Sequence, residues 1–370
     1  MRLGDRSAAD HDDATAAAEP ARAALDQRKT AAGRGCAVPG IGVDRSYTRR
    51  MNRWRRAVQV GMVSIALVTG AVAHADPAPY VPAPGVESTY FEPGPAAVNE
   101  RLGFGCCDTT GAKFDLWYPA DLGTERHPIV LWGNGSDAIP SQYAHLLRHL
   151  ASWGFVVIGT ENQQTGSGVD IRKSLDYLLA QDEDPASVFF GKLDREAVGA
   201  VGHSQGATGV LNALRDSGGA IKTAVPLEIA AQRFCSNAAK CTDTRSLTTG
   251  SVFLVNGSAD GIISPSRQLL PWQLEGLQSN QAYYEAVPAN LTKAWGTLNG
   301  PDHNDVQGQP DCAAASSPCR VGVYGYLGYP TAWLMAQLRG DAAARDAFRP
   351  GGDFYKSSPN WSNQVGSVTG

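Results

Sequence analysis

Metal-ligand spacing is missing from this sequence. Its seven cysteines form no C-x-x-C pair set against histidines at zinc spacing, and no H-E-x-x-H occurs. An excess of positive charge is missing too. The chain has 32 Lys and Arg against 36 Asp and Glu, a net charge of −4, which leaves no electrostatic footprint for nucleic acid. No internal repeat or low-complexity segment interrupts the central two thirds of the chain, which excludes a repeat architecture. What remains is a globular composition, 43% apolar and 18% charged over 370 residues, enough for one large domain or two small ones.

The N-terminus stands apart from the expected fold. Residues 1–50 are rich in Ala, Asp and Arg and show no sustained apolar period. Met51-Asn52-Arg53-Trp54-Arg55-Arg56 is a basic start, Gly61 to Ala73 is a 13-residue uncharged stretch, and Ala73-His74-Ala75 is an A-x-A site. That order is a signal peptide, and its apolar part is short for a bilayer span. The expectation is that Met51 is the true start, that residues 1–50 are upstream over-reading, and that cleavage after Ala75 secretes the chain. The residue directly after the cleavage site is Asp76 and not Cys, so no lipid anchor is expected. Of the basic residues, 12 precede Asp76, with 7 acidic ones; the remainder holds 20 basic and 29 acidic residues and is acidic.

Export fits the cysteines. Cys36 falls in the discarded part, leaving an even six. Cys235 with Cys241 and Cys312 with Cys319 are short-range pairs in loop-like sequence and are expected to bond, each contributing ~2–3 kcal/mol. Cys106 and Cys107 are adjacent, and either a vicinal bridge or two thiols would fit.

Residues 76–105 are expected to form an extended lead-in, residues 106–350 the folded domain and residues 351–370 a tail. Within the domain, Lys113–Pro119 alternates as an early strand, and His127–Trp132 and Phe155–Gly159 are short apolar runs suited to buried parallel strands. Gln142–Trp153 and Ile171–Leu179 have helical spacing. Strands follow at Ala197–Val201, Lys222–Ile229, Val252–Asn256 and Tyr283–Val287, with helices at Ala207–Leu214, Pro265–Leu277 and Tyr324–Leu338. Strand and helix alternate, so the class is α/β with a mostly parallel central sheet and helices on both faces. Only about twenty residues separate Ile229 from Ser251, which leaves no room for a large cap.

Gly202-His203-Ser204-Gln205-Gly206 lies between a strand and a helix, the setting of a nucleophile elbow. A serine nucleophile needs a base, and the base an orienting carboxylate. In the order Ser, acid, His, only His303 follows Ser204 far enough along the chain. Asp260, at the end of the Val252 strand, is the expected acid, and Glu228 at the end of the preceding strand is its rival. The N–H of Gln205 is the expected first oxyanion donor, with Gly135 or Ser136 the second. Trp132, Gln205 and Trp295 are candidates to line the acyl site, with core packing the alternative for both Trp residues. His145 and His149, one helical turn apart, are expected on a solvated face.

Gly-His-Ser-Gln-Gly, Gly257-Ser258-Ala259-Asp260 and the late His303 resemble a secreted α/β-hydrolase. Leu150-Ala151-Ser152-Trp153-Gly154-Phe155-Val156-Val157-Ile158 resembles the bacterial cutinase, polyester-hydrolase and chlorophyllase-like group. The resemblance covers about residues 114–306. The chain lacks the His-Gly-Gly-Gly of many lipases, and Trp132-Gly133-Asn134-Gly135 replaces the usual polyester-hydrolase sequence. The resemblance implies a secreted serine esterase that needs no metal or organic cofactor. Its partner would be an ester substrate, extending to a lipid or polyester surface, with no nucleic acid, no stable membrane anchor and a monomeric state. An exported acyltransferase with the same triad and a catalytically inactive binding protein are the alternatives.

Overall fold

A computed structural model describes residues 80–235, 241–268 and 275–368. The expected upstream segment and signal peptide, residues 1–75, lie outside them. Among the described residues nine strands form one sheet: β1 (Val98–Cys106), β2 (Lys113–Pro119), β3 (His127–Gly133), β4 (Val156–Thr160), β5 (Leu193–His203), β6 (Ile221–Leu227), β7 (Ser251–Gly257), β8 (Thr292–Leu298) and β9 (Trp361–Gly366). Their order is β1-β2-β4-β3-β5-β6-β7-β8-β9. From β4 to β8 every neighbouring pair is parallel, and β2 and β9 run antiparallel to the neighbours they cover. This is the α/β-hydrolase arrangement.

Parallel strands are buried on both faces, so alternate side chains feed two different cores. On β3, Ile129 and Leu131 join one apolar layer while Val130 and Trp132 join the other. Helices α3 (Val169–Glu183), α4 (Gln205–Asp216) and α5 (Asn280–Ala286) cover the first face. Helices α1 (Val86–Phe91), α2 (Ala144–Ser152), α6 (Gly328–Leu338) and α7 (Ala342–Ala347) cover the second. Among the described residues no helix is long and apolar enough to cross a membrane. The segments after β6 and β7 carry, in their described parts, two 3-10 turns and the seven-residue α5, with no cap domain.

The structure differs from the sequence expectations in four places. The stretch taken as an extended lead-in contains α1 and β1, which pairs with β2. The stretch taken as a tail contains β9, whose Trp361 is buried in the core and which pairs along β8. Tyr283–Val287 is not a strand: Ser279 caps the start of α5 by accepting from the Ala282 N–H, and the strand is β8. At both ends of Pro265–Leu277 the described residues, 265–268 and 275–277, are non-helical; 269–274 lie outside the described set.

His149 is also not on a solvated face. It is buried, its Nε2 lies 2.9 Å from the Tyr90 carbonyl, and burial pushes its pKa down from 6.5 to about 4. The unfolded chain therefore binds a proton near pH 6.5 that the folded chain refuses, so the folded state loses stability as pH falls from about 6.5 toward about 4. Urea unfolding across that range should show the loss. His149→Gln, which keeps a donor for Tyr90, should make the slope shallower, leaving the part due to the likewise buried His203; an unchanged slope would remove His149 as a source.

Candidate active site

The turn from β5 into α4 is made of backbone in contact. A Cβ on Gly202 would lie 2.5 Å from the Gly206 carbonyl oxygen, and one on Gly206 would lie 2.1 Å from that of Gly133. Only glycine fits at either place. Between them Ser204 has φ +55°, a strained value for a residue with a side chain.

Ser204, Asp260 and His303 are 99 and 43 residues apart in their two pairings, and the fold brings them together. The Ser204 hydroxyl donates to His303 Nε2 at 2.8 Å, and His303 Nδ1–H donates to Asp260 Oδ2 at 2.5 Å. All three are buried, and Ser204 and His303 line an open cleft of about 330 Å³ with Asp260 behind them. Burial alone would raise the Asp260 pKa. The His303 hydrogen bond and charge, with the N–H groups of Ser264 and Ile263, outweigh it and hold the carboxyl below its ordinary range.

Glu228 has a different environment. It is wholly buried at φ +50°, and its Oε1 accepts from the Gly257 N–H at 2.5 Å and from the Tyr326 hydroxyl. Burial, then the charge of Asp260, push its carboxyl well above the ordinary range. The structure therefore pairs His303 with Asp260 and leaves the rival acid neutral beside them.

Around the elbow, Gln205 holds two loops with its side chain: Nε2 donates to Ser136 Oγ at 3.2 Å and to Gln164 Oε1 at 2.9 Å, and Oε1 accepts from the Gly166 N–H. The Gly135 N–H is engaged by the Tyr143 hydroxyl at 3.1 Å. Of the two residues weighed as second oxyanion donor, Ser136 is thus the one without that commitment. Trp132 and Trp295 do not line the cleft. Trp132 packs on Tyr143 at 4.6 Å in one core, and Trp295 is buried in the other with Nε1 on Asn256. The alternation of a doubly buried sheet sends both rings into core layers. Sequence reasoning missed Phe234 and Ile263, which line the cleft, and the pairing of Tyr143 with His203. Their only sequence signal is nearness to Cys235, Asp260 and the elbow.

The His303 loop gets its shape from Asp305 and a disulfide. Asp305 accepts from the N–H groups of Asp302, Arg320, Val321 and Gly322. Cys312 and Cys319 are bonded, and within their loop Pro318 accepts the Asn304 N–H at 3.0 Å. Cys106 and Cys107 are bonded to each other. Cys235 and Cys241, expected as a disulfide, instead meet as thiols in hydrogen-bond contact. Proximity brings sulfurs together, but formation of the bond depends on redox poise as well. Replacing Cys312 and Cys319 by Ser should lower stability by about 2.5 kcal/mol, read by denaturant unfolding. A midpoint unchanged from wild type would show that the loop holds its shape without the bridge.

Comparison with known proteins agrees with this geometry. The family described as PET hydrolase-like matches residues 72–304, a span that contains Ser204, Asp260 and His303. The chain is similar to a bis(hydroxyethyl) terephthalate hydrolase of Streptomyces coelicolor, with 31% identity over 200 residues, 52% of this chain and 62% of the relative. The chain thus spans less than two thirds of that relative's length. As the family match covers more than half of the sequence, the chain belongs to the PET hydrolase-like family.

Proposed function

We propose that this protein is a secreted serine hydrolase of carboxylic esters. The observation that carries the reading is the continuous hydrogen-bonded line from Ser204 through His303, both lining an open cleft, to Asp260 behind them. Ser204 Oγ attacks the acyl carbon as His303 Nε2 takes its proton. Asp260 fixes the imidazole tautomer and stabilises the cation that forms. The N–H groups of Gln205 and Ser136 receive the oxyanion. His303 returns the proton to the departing alcohol, and water, activated by the same base, resolves the acyl-enzyme.

The substrate we propose is an ester of an aromatic acid, in line with the terephthalate ester named for the relative. The cleft volume of about 330 Å³ is at the low end for small-ligand sites. It suits one ester unit, and the exposed side chains of Phe234 and Ile262 offer apolar surface to the rest of a longer chain. Fluorophosphonate should label Ser204, and Ser204→Ala should abolish both labelling and hydrolysis of bis(hydroxyethyl) terephthalate. Asp260→Asn should lower kcat by ~10³–10⁴. Folded protein that neither labels nor hydrolyses would sink the proposal. Product analysis with an added alcohol separates hydrolysis from acyl transfer, and release from polyester film tests the polymer arm.

Secretion rests on the basic start at Met51, the apolar stretch and Ala73-His74-Ala75. Mature protein from the culture medium should begin at Asp76; retention of residues 1–50 in a secreted form would refute the start-site reading.

A further inference from the structure

From the wall of the cleft, where Gly135, His203 and Gln307 are lining residues, a hydrogen-bonded chain runs inward to which the ester chemistry gives no role. Tyr143 lies in the 3-10 turn that leads into α2 and is 1% exposed. Its hydroxyl has three partners: the Gly135 N–H at 3.1 Å, Gln307 Nε2 at 3.3 Å and His203 Nδ1 at 2.9 Å. The first two are donors, so the phenol's own proton goes to His203 Nδ1. His203 then holds its proton on Nε2 and donates it to the main-chain carbonyl of His303 at 2.7 Å. Each hydrogen bond in the chain has a fixed direction. Gln307 extends it, since its Oε1 accepts the Ser316 N–H from the disulfide loop.

The approach at Gly135 is close. A Cβ there would lie 2.8 Å from His203 Nδ1 and 2.9 Å from Tyr143 Oη. A glycine without a hydrogen bond has wide backbone freedom, and the Ser136 N–H follows whatever conformation Gly135 takes. The Tyr143 hydroxyl removes that freedom.

We propose that Tyr143 and His203 act as a positioning pair that locks the oxyanion loop and the His303 main chain to each other across Ser204. The hydrogen bonds of the pair go to Gly135, Gln307 and the His303 carbonyl and not to Ser204 Oγ; the pair sets the separation between the second oxyanion donor and the base. The proposal rests on the ester-hydrolase reading for its kinetic effect, but its hydrogen-bond directions can be tested without turnover.

Tyr143→Phe removes one oxygen and keeps the ring packed on Trp132. His203→Gln keeps a donor for His303 and loses the ring nitrogen facing Tyr143. Each should lower kcat by about 10- to 100-fold with little change in KM, the signature of lost transition-state positioning. The double variant should be no worse than the poorer single one, because both break the same unit. Losses that multiply, or a folded Tyr143→Phe enzyme with full kcat, would overturn the pair. The second arm is ¹⁵N NMR of the imidazoles. The charged and titratable groups facing His203 are His303, 4.9 Å away ring to ring, Asp260 and Tyr143. Wild-type His203 should be protonated on Nε2 alone from pH 5 to 8, in the approximate range where free histidine titrates, and Tyr143→Phe should shift its Nδ1 resonance. A His203 that titrates in that range or carries its proton on Nδ1 would refute the pair. If this arm succeeds while the wild type shows no esterase activity, the ester reading fails and the pair stands.

Discussion

Gly206 sits so close to the carbonyl of Gly133 that the strand β3, the strand β5 and the start of α4 meet backbone to backbone. The rest of the site depends on this contact. In the β3–β5 pairing Gly133 stands opposite Gly202, so the two strands end at one level and the loops that follow them open side by side. One loop carries Ser204 and the other Ser136. A side chain at either glycine would push the elbow away from the oxyanion loop by the thickness of a methyl group. The strain at Ser204 is held by the same packing, since the strand before it and the helix after it are both buried.

The base comes from a loop, and loops have no ladder to hold them. Here Asp305 replaces the ladder. It accepts from four main-chain N–H groups spread over residues 302–322 and gathers the disulfide loop around His303. The disulfide restricts the same loop covalently, so one buried carboxylate and one bond shape the loop that carries the imidazole. The acid needs less support. Asp260 lies three residues past the end of β7, and the Ile263 N–H fixes one of its oxygens at 2.9 Å while His303 takes the other.

The elbow was legible because its demands on sequence are local: two close approaches need glycine, and the exposed turn needs a nucleophile. Asp260 and His303 were legible through chain order together with strand ends. The two Trp residues were not. Position near the site was visible, but the face on which each ring emerges depends on strand register, and in a sheet buried on both faces the hydrophobic pattern does not mark a face. Tyr283–Val287 failed for a related reason. Aromatic and β-branched residues favour a strand locally, and the Ser279 cap with the buried Asn280 contacts overrides them. The edges β1 and β9 escaped notice because half-exposed strands rich in Gly, Asn and Ser have little apolar alternation to detect. His149 looked solvated because periodicity does not show a carbonyl waiting across a helix–helix contact.

The choice between Asp260 and Glu228 shows where sequence position stops deciding. Both stand just past the ends of adjacent parallel strands, and both bring a carboxylate oxygen within 4.8 Å of His303 and of each other. Two anions at that distance would repel, so environment must make them unequal. Asp260 has two backbone donors and the imidazole. Glu228 has Gly257 and Tyr326 on a single oxygen, while its Oε2 has no hydrogen-bond partner among the described residues. An oxygen without donors is a poor place for charge and a good place for a proton. Glu228 therefore stays neutral and ties the end of β7 to the 3-10 turn at Tyr326, and the negative charge settles on the carboxylate that faces His303 Nδ1. On the other side of that imidazole, burial pushes the His203 pKa down to about 3, so it adds no competing positive charge. Of these two strand-end carboxyls, Asp260 is the one left ionised, and its charge lies on the side where an imidazolium would need it.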